Sequence, residues 1–168
     1  MRGERVLVHR RGFFAAVLLI LGLFLVLGPV LLKDAWALHG AEEQRLLELV
    51  NEYRQANGVD PLIPSDALST AAEHHSEDMA AHGFFSHITE ASSYYPEGSD
   101  YADRGAREGY PANAYLAENT AWGQATAEEV FEFWRNSPDH NTNMLNRGYT
   151  AVGIGHVAPY WTADFGSA

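Results

Sequence analysis

Four short stretches stand out as able to carry chemistry. They are Phe84-Phe85-Ser86-His87, then Ala117-Glu118-Asn119-Thr120-Ala121-Trp122-Gly123, then Ser137-Pro138-Asp139-His140-Asn141 with Met144-Leu145-Asn146, and Val152-Gly153-Ile154-Gly155 with Trp161, Asp164, Phe165 and Gly166. Histidines and carboxylates carry the reactivity, because the chain has no cysteine. That removes thiolate nucleophiles and thiolate metal sites, and leaves the fold to hold without disulfides. Serines, histidines and acids are plentiful, but no Gly-x-Ser-x-Gly elbow or other nucleophile signature marks a Ser-His-Asp hydrolase. His74 and Asp78 stand at i, i+4 and could chelate a metal from one helix face, although such a pair is more often solvated. His75 falls on an apolar face.

Taken together and in this order, the stretches resemble the CAP superfamily (SCP-like, pathogenesis-related-1-like), especially its prokaryotic branch, from the first helix to the end of the chain. The resemblance implies an α+β fold, a three-layer α-β-α sandwich. It also implies a cleft with two histidines and one or two acidic residues that in some members bind zinc or another divalent ion. By motif the counterparts are His87, Glu118 and His140, with His87 and His140 as metal ligands and Glu118 as a possible general base. Neutral imidazoles suit borderline metals, and a nearby carboxylate can ligate, orient an imidazole or hold a water. Many eukaryotic members carry a second glutamate three residues after the tryptophan of the preceding helix; here that cleft position, three after Trp134, is Ser137. A hydroxyl in place of a carboxylate weakens any general-base mechanism and lowers the expected metal affinity. The plainer alternative stays open: His87 and His140 could bond backbone groups at helix ends while Glu118 acts as an internal strut.

Three functions are compatible with this set. The first is a cleft-based binding module for a divalent metal, a small apolar ligand or a cell-envelope component. The second is a metal-assisted hydrolase of peptide, ester or envelope polymer, with Glu118 activating a bound water. The third is a structural or signalling ectodomain with a vestigial cleft, whose acidic surface would favour a basic protein partner. Trp122, Trp134, Trp161, Phe84 and Phe85 could line a lipid or sterol groove, as the resemblance to sterol-binding members invites; aromatics flanking helices and strands are more often core.

The elements that must position these residues are legible in part. Leu46, Leu49, Val50 and Tyr53 follow helical spacing, and Asn57-Gly58 supplies a stop. Ser65 or Asp66 can cap a second helix that buries Leu68, Ala71, Ala72, His75 and Met79 and ends near Gly83. A long surface connection runs from Glu90 to Pro111, with a short helix at Tyr101 to Glu108. Val130, Phe131 and Trp134 mark a helix over Ala127 to Trp134, broken at Asn136-Ser137-Pro138. Tyr149 to Val157 and Tyr160 to Phe165 read as strands. Helices first and strands last argue for an α+β layer arrangement.

The chain's start differs in kind. From Gly12 to Leu32 there is no charged side chain, and as a helix this run would span about 30 Å, a bilayer core. Arg2, Arg5, Arg10 and Arg11 precede it, which keeps residues 1–11 cytoplasmic and exports the rest of the chain. The expected organisation is a basic N-terminus 1–11, a transmembrane signal-anchor 12–32, a linker 33–41 and a CAP domain 42–168 on the extracytoplasmic side. The alternative is a signal peptide cleaved after Ala37 at Ala35-Trp36-Ala37, giving a secreted domain. Of 11 basic and 22 acidic residues, 6 and 20 lie from Ala35 onward, with no lysine, a net charge near −14. Such a surface repels phosphates and anionic headgroups, so nucleic acid is not an expected partner.

Overall fold

The computed structural model describes residues 40–167. The apolar run 12–32, the basic residues before it and the Ala35-Trp36-Ala37 site lie outside the described residues. Among those described, no helix is long and apolar enough to cross a membrane.

Helix α1 (Ala41–Ala56) places Glu42 and Glu43 in its first turn and Arg54 in its last, as its dipole favours. It buries Leu46, Leu47, Val50 and Arg54, so the inward face is rotated from the expected stripe, with Leu49 and Tyr53 packed at the margin. Arg54 accounts for the rotation. Its guanidinium donates to the carbonyls of Asp60 (2.7 Å), Met144 (2.7 Å), Asn146 (3.0 Å) and Tyr149 (3.0 Å), tying α1 to the segment that enters the last two strands.

Helix α2 (Asp66–His82) has the expected ends: the Ser65 hydroxyl accepts from the Leu68 N–H, and Gly83 closes the helix at φ 72°, a left-handed value that glycine adopts without strain. Its buried face is Leu68, Ala71, Ala72, His75 and Met79, as the spacing predicts. The four-stranded sheet has the order β1 (Ile63–Pro64), β3 (Ala151–Val157), β4 (Tyr160–Gly166), β2 (Leu116–Trp122). It is mixed: β1 runs parallel to β3, and the β3–β4 and β4–β2 pairs are antiparallel.

Alternation along β3 and β4 divides the domain. Val152, Ile154, Trp161, Ala163 and Phe165 enter one core together with Leu46, Val50, Val130, Phe131 and Trp134 from α1 and α4 (Ala127–Arg135). The opposite face meets α2 at backbone distance. A Cβ on Gly153 would lie 2.0 Å from the Leu68 carbonyl carbon, and one on Gly155 2.2 Å from the Glu73 nitrogen. The Gly-x-Gly spacing is therefore a packing device, with both glycines on the face that α2 covers and the branched residues on the other.

Three elements escape the sequence pattern. Strand β1 is only Ile63–Pro64. Strand β2 is a strand despite Glu118, Asn119 and Thr120 in its middle, all three buried, because each polar side chain has a specific role that hydrophobic alternation does not reveal. Helix α5 (Pro138–Leu145) begins where a break is expected: Pro138 takes a first-turn position, where a missing N–H costs nothing. Helix α3 (Tyr101–Arg107) is closed by a capping box between Asp100 and Asp103. Two carbonyls of edge strand β2 are answered within the domain. Asn143 Nδ2 donates to Glu118 O (3.4 Å) and Trp134 Nε1 to Thr120 O (3.1 Å), so α4 and α5 cover the edge.

The glycine contact sets a direct test. Gly153→Ala should destabilise the domain by about 3 kcal/mol or more, since the new methyl overlaps backbone that cannot rotate away. Gly148→Ala, on an exposed turn, should change stability by less than about 1 kcal/mol. Denaturant unfolding midpoints of the two variants check the contrast.

Candidate functional site

The site straddles β2. Because consecutive residues of a strand point to opposite faces, Glu118 and Asn119 reach into different layers. Glu118 faces the loop after α2 and accepts from His87 Nδ1 at 2.7 Å. Asn119, fully buried, donates through Nδ2 to the His140 carbonyl in α5 at 3.1 Å, while its own Oδ1 accepts from Asn143 Nδ2 at 2.9 Å. One dipeptide of the edge strand thus holds both histidine-bearing segments.

Glu118 is the electrostatic centre. Its side chain is 0% exposed, and its second oxygen accepts from Arg104 Nη2 at 2.5 Å. Burial alone would push Glu118 up, but the adjacent Arg104 charge and the His87 hydrogen bond hold it below the usual glutamate range. Arg104 is equally buried, and its Nη1 donates to His87 O (3.1 Å), Thr89 Oγ1 (3.2 Å) and Ser99 O (3.0 Å). The guanidinium that neutralises Glu118 therefore also shapes the loop carrying His87.

The His87 ring is half exposed, at 50% of its side chain. With Nδ1–H donated to Glu118, the assigned tautomer leaves Nε2 as the nitrogen free to meet a ligand. The bond to the carboxylate raises the His87 pKa. Burial lowers that of His140, and the nearby His87 charge lowers it further, which places the two imidazoles within electrostatic reach of each other. His140 Nδ1 is shielded from solvent with no hydrogen-bond partner, and Phe133 and Trp134 flank the ring at 5.6 and 6.3 Å. Ser137 begins α5 without a side-chain cap bond, so its hydroxyl is not spent on the helix end.

His75 and His74 have structural partners. His75 is fully buried and its Nε2 bonds Ser86 O at 2.8 Å, fixing the residue before His87. His74 Nδ1 meets Tyr95 Oη and Glu108, while Asp78 accepts from Ser93 N; the i, i+4 pair takes separate partners. Among the described residues, no group of three or more histidine or acidic side chains is arranged to hold a metal.

Asp164, Arg104 and Asn119 are the site residues to which sequence reading assigns no role. Asp164 lies directly across from Glu118 in the β2–β4 register and is fully buried. Neither of its oxygens receives a hydrogen bond from a backbone or basic group. Burial and the Glu118 charge push Asp164 well above the usual aspartate range. A second negative charge beside Glu118 in a buried space is disfavoured, so Asp164 is held toward its neutral form, and the Arg104 guanidinium balances the charge of Glu118. Tertiary proximity alone creates this pairing.

The profile of the CAP family (cysteine-rich secretory protein family) matches residues 47–160. Two Bacillus subtilis proteins are similar in sequence. "Uncharacterized protein YkwD" is 36% identical over 127 residues, which is 74% of this chain and 47% of that protein. "Uncharacterized membrane protein YlbC" is 31% identical over 123 residues, 73% and 34% of the two chains. The chain thus spans less than half the length of either relative. Among solved structures, an extracellular protein containing an SCP domain from Bacillus anthracis superposes with a TM-score of 0.69 at 24% identity, over 76% of this chain and 40% of that one. An outer surface protein from Borrelia burgdorferi superposes with a TM-score of 0.66 at 18% identity, over 75% and 92%.

The carboxyl pair has a measurable consequence. An acid whose folded-state pKa is raised stabilises the fold fully below the ordinary carboxylate range and loses that contribution as pH rises through the raised value. Asp164→Asn keeps a neutral side chain and removes the titration. The parent should therefore lose stability relative to Asp164→Asn as pH is raised from about 4 to about 9. Guanidinium midpoints across that range test it, and parallel curves would refute the buried neutral acid.

Proposed function

The chain belongs to the CAP family, and on that premise we propose that it is an extracytoplasmic binding module, tethered by residues 12–32, whose cleft takes a divalent cation on His87 and His140. One observation carries the reading. His87 is oriented by a buried carboxylate through Nδ1, the arrangement by which proteins present an imidazole Nε2 to a ligand. His140 is close enough for the His87 charge to act on it, and its Nδ1 is buried with no hydrogen-bond partner.

The residues fit such an ion as a two-imidazole half-site, with water or the bound ligand completing the coordination. When bound, a zinc-like ion would supply Lewis acidity and a fixed positive charge in an otherwise acidic domain. Glu118 does not fit the role of base toward a bound water, because it is fully enclosed and its two oxygens serve His87 and Arg104. Its work is to hold the His87 tautomer, and the geometry therefore favours binding over hydrolysis.

Calorimetric titration of the full chain with zinc tests the proposal. Affinity in the micromolar range should disappear in His87→Ala and in His140→Ala, and should fall about 10-fold or more in Glu118→Gln, as loss of an orienting carboxylate does. Because the His87 pKa is raised, affinity should strengthen as pH rises and the imidazole gives up its proton. Absence of binding by the parent chain at millimolar zinc would sink the cation reading.

A further inference from the structure

Of five aromatic residues that could line a ligand surface, the structure sends three inward. Trp134 and Trp161 are fully buried with their indole N–H groups bonded to Thr120 O and Gln124 O, and Phe84 is 8% exposed. The other two, Trp122 and Phe85, remain 58% and 49% exposed, and the Trp122 N–H donates to no protein group among the described residues. They are not scattered. Both rings converge on Tyr160, each with its centroid 6.4 Å away, Trp122 stacked at 30° and Phe85 tilted at 41°.

This row lies on the same sheet face as Glu118, the residue that holds His87. Glu118, Thr120 and Trp122 alternate onto one face of β2, opposite Asp164, Thr162 and Tyr160 of β4, so Trp122 lies about 13 Å along the strand from the carboxylate that holds His87. Phe85 belongs to the same loop as His87.

Charge and shape choose the occupant. Of the six arginines from Ala35 onward, Arg45, Arg54, Arg104 and Arg135 are engaged with carboxylates or buried carbonyls, and no lysine is present. An anionic headgroup or phosphate polymer would meet a surface of its own sign. An acyl chain needs an enclosed apolar pocket, whereas these rings stand in the open. Sugar rings are neutral, present polarised C–H bonds that match the negative faces of aromatic rings, and carry hydroxyls that accept from an unpaired indole N–H.

We propose that Phe85, Tyr160 and Trp122 form a stacking platform for the sugar rings of an uncharged glycan, continuing the histidine cleft along β2. The platform extends the envelope-binding reading and is independent of the cation. A glycan lying on it would run along the edge strand toward His87, with the two subsites reading different parts of one ligand.

The test is calorimetry of the full chain, kept in a detergent without sugar headgroups, against a set of neutral tetrasaccharides including chitotetraose, cellotetraose and maltotetraose. At least one should bind, and Trp122→Ala should weaken it about 3- to 10-fold, the worth of one aromatic contact, while Trp122→Phe restores most of the affinity. Zinc titration of the same variants separates the two proposals: Trp122→Ala should leave zinc binding unchanged, and His87→Ala should leave the platform contribution intact. No binding of any tetrasaccharide at millimolar concentration, binding indifferent to Trp122→Ala, or Trp122-dependent binding to phosphatidylcholine vesicles in place of sugars would each overturn the proposal.

Discussion

Two carboxyls and one guanidinium share a space from which water is excluded, and the layout of the domain around β2 is set by satisfying them. Burying a charge is tolerable only when it is paired and hydrogen-bonded, so Glu118 requires Arg104, and Asp164 must surrender its charge. Arg104 in turn spends its other nitrogen on the loop between α2 and α3, and that loop delivers His87 to the last free acceptor of Glu118. Loop conformation, histidine tautomer and sheet pairing are thus one electrostatic solution.

The same strand manages both sides of the domain. Adjacent residues of β2 send a carboxylate to one layer and an amide to the other, and each secures a histidine-bearing segment. A mixed sheet covered by helices on both faces makes this possible, because alternation sends neighbouring β2 side chains to opposite layers, and two of its carbonyls accept from Asn143 and Trp134. The two glycines of β3 contribute at a distance. By letting α2 rest on the sheet at backbone contact, they set the depth at which the loop following α2 meets Glu118.

The acidic surface bears on every functional reading. With four of the six arginines from Ala35 onward engaged within the domain, and acidic residues in excess, the domain has little to offer an anion. The relatives are longer than this chain, and one is described as a membrane protein.

Sequence alone determined what depends on local periodicity and on ordered motifs. The faces of α2 and α4, the β3–β4 hairpin and the family resemblance were legible because helical spacing, strand alternation and capping residues act over a few residues. The motif positions single out His87 and Glu118, which the structure joins by a hydrogen bond. Strand β2, helix α5 and the roles of Arg104, Asn119 and Asp164 were decided only by the tertiary structure. A polar strand interior, a proline at a helix start and a carboxyl that keeps its proton have no local signature. Their energies come from partners tens of residues away, and the cost of an unpaired charge exists only once folding has removed the water.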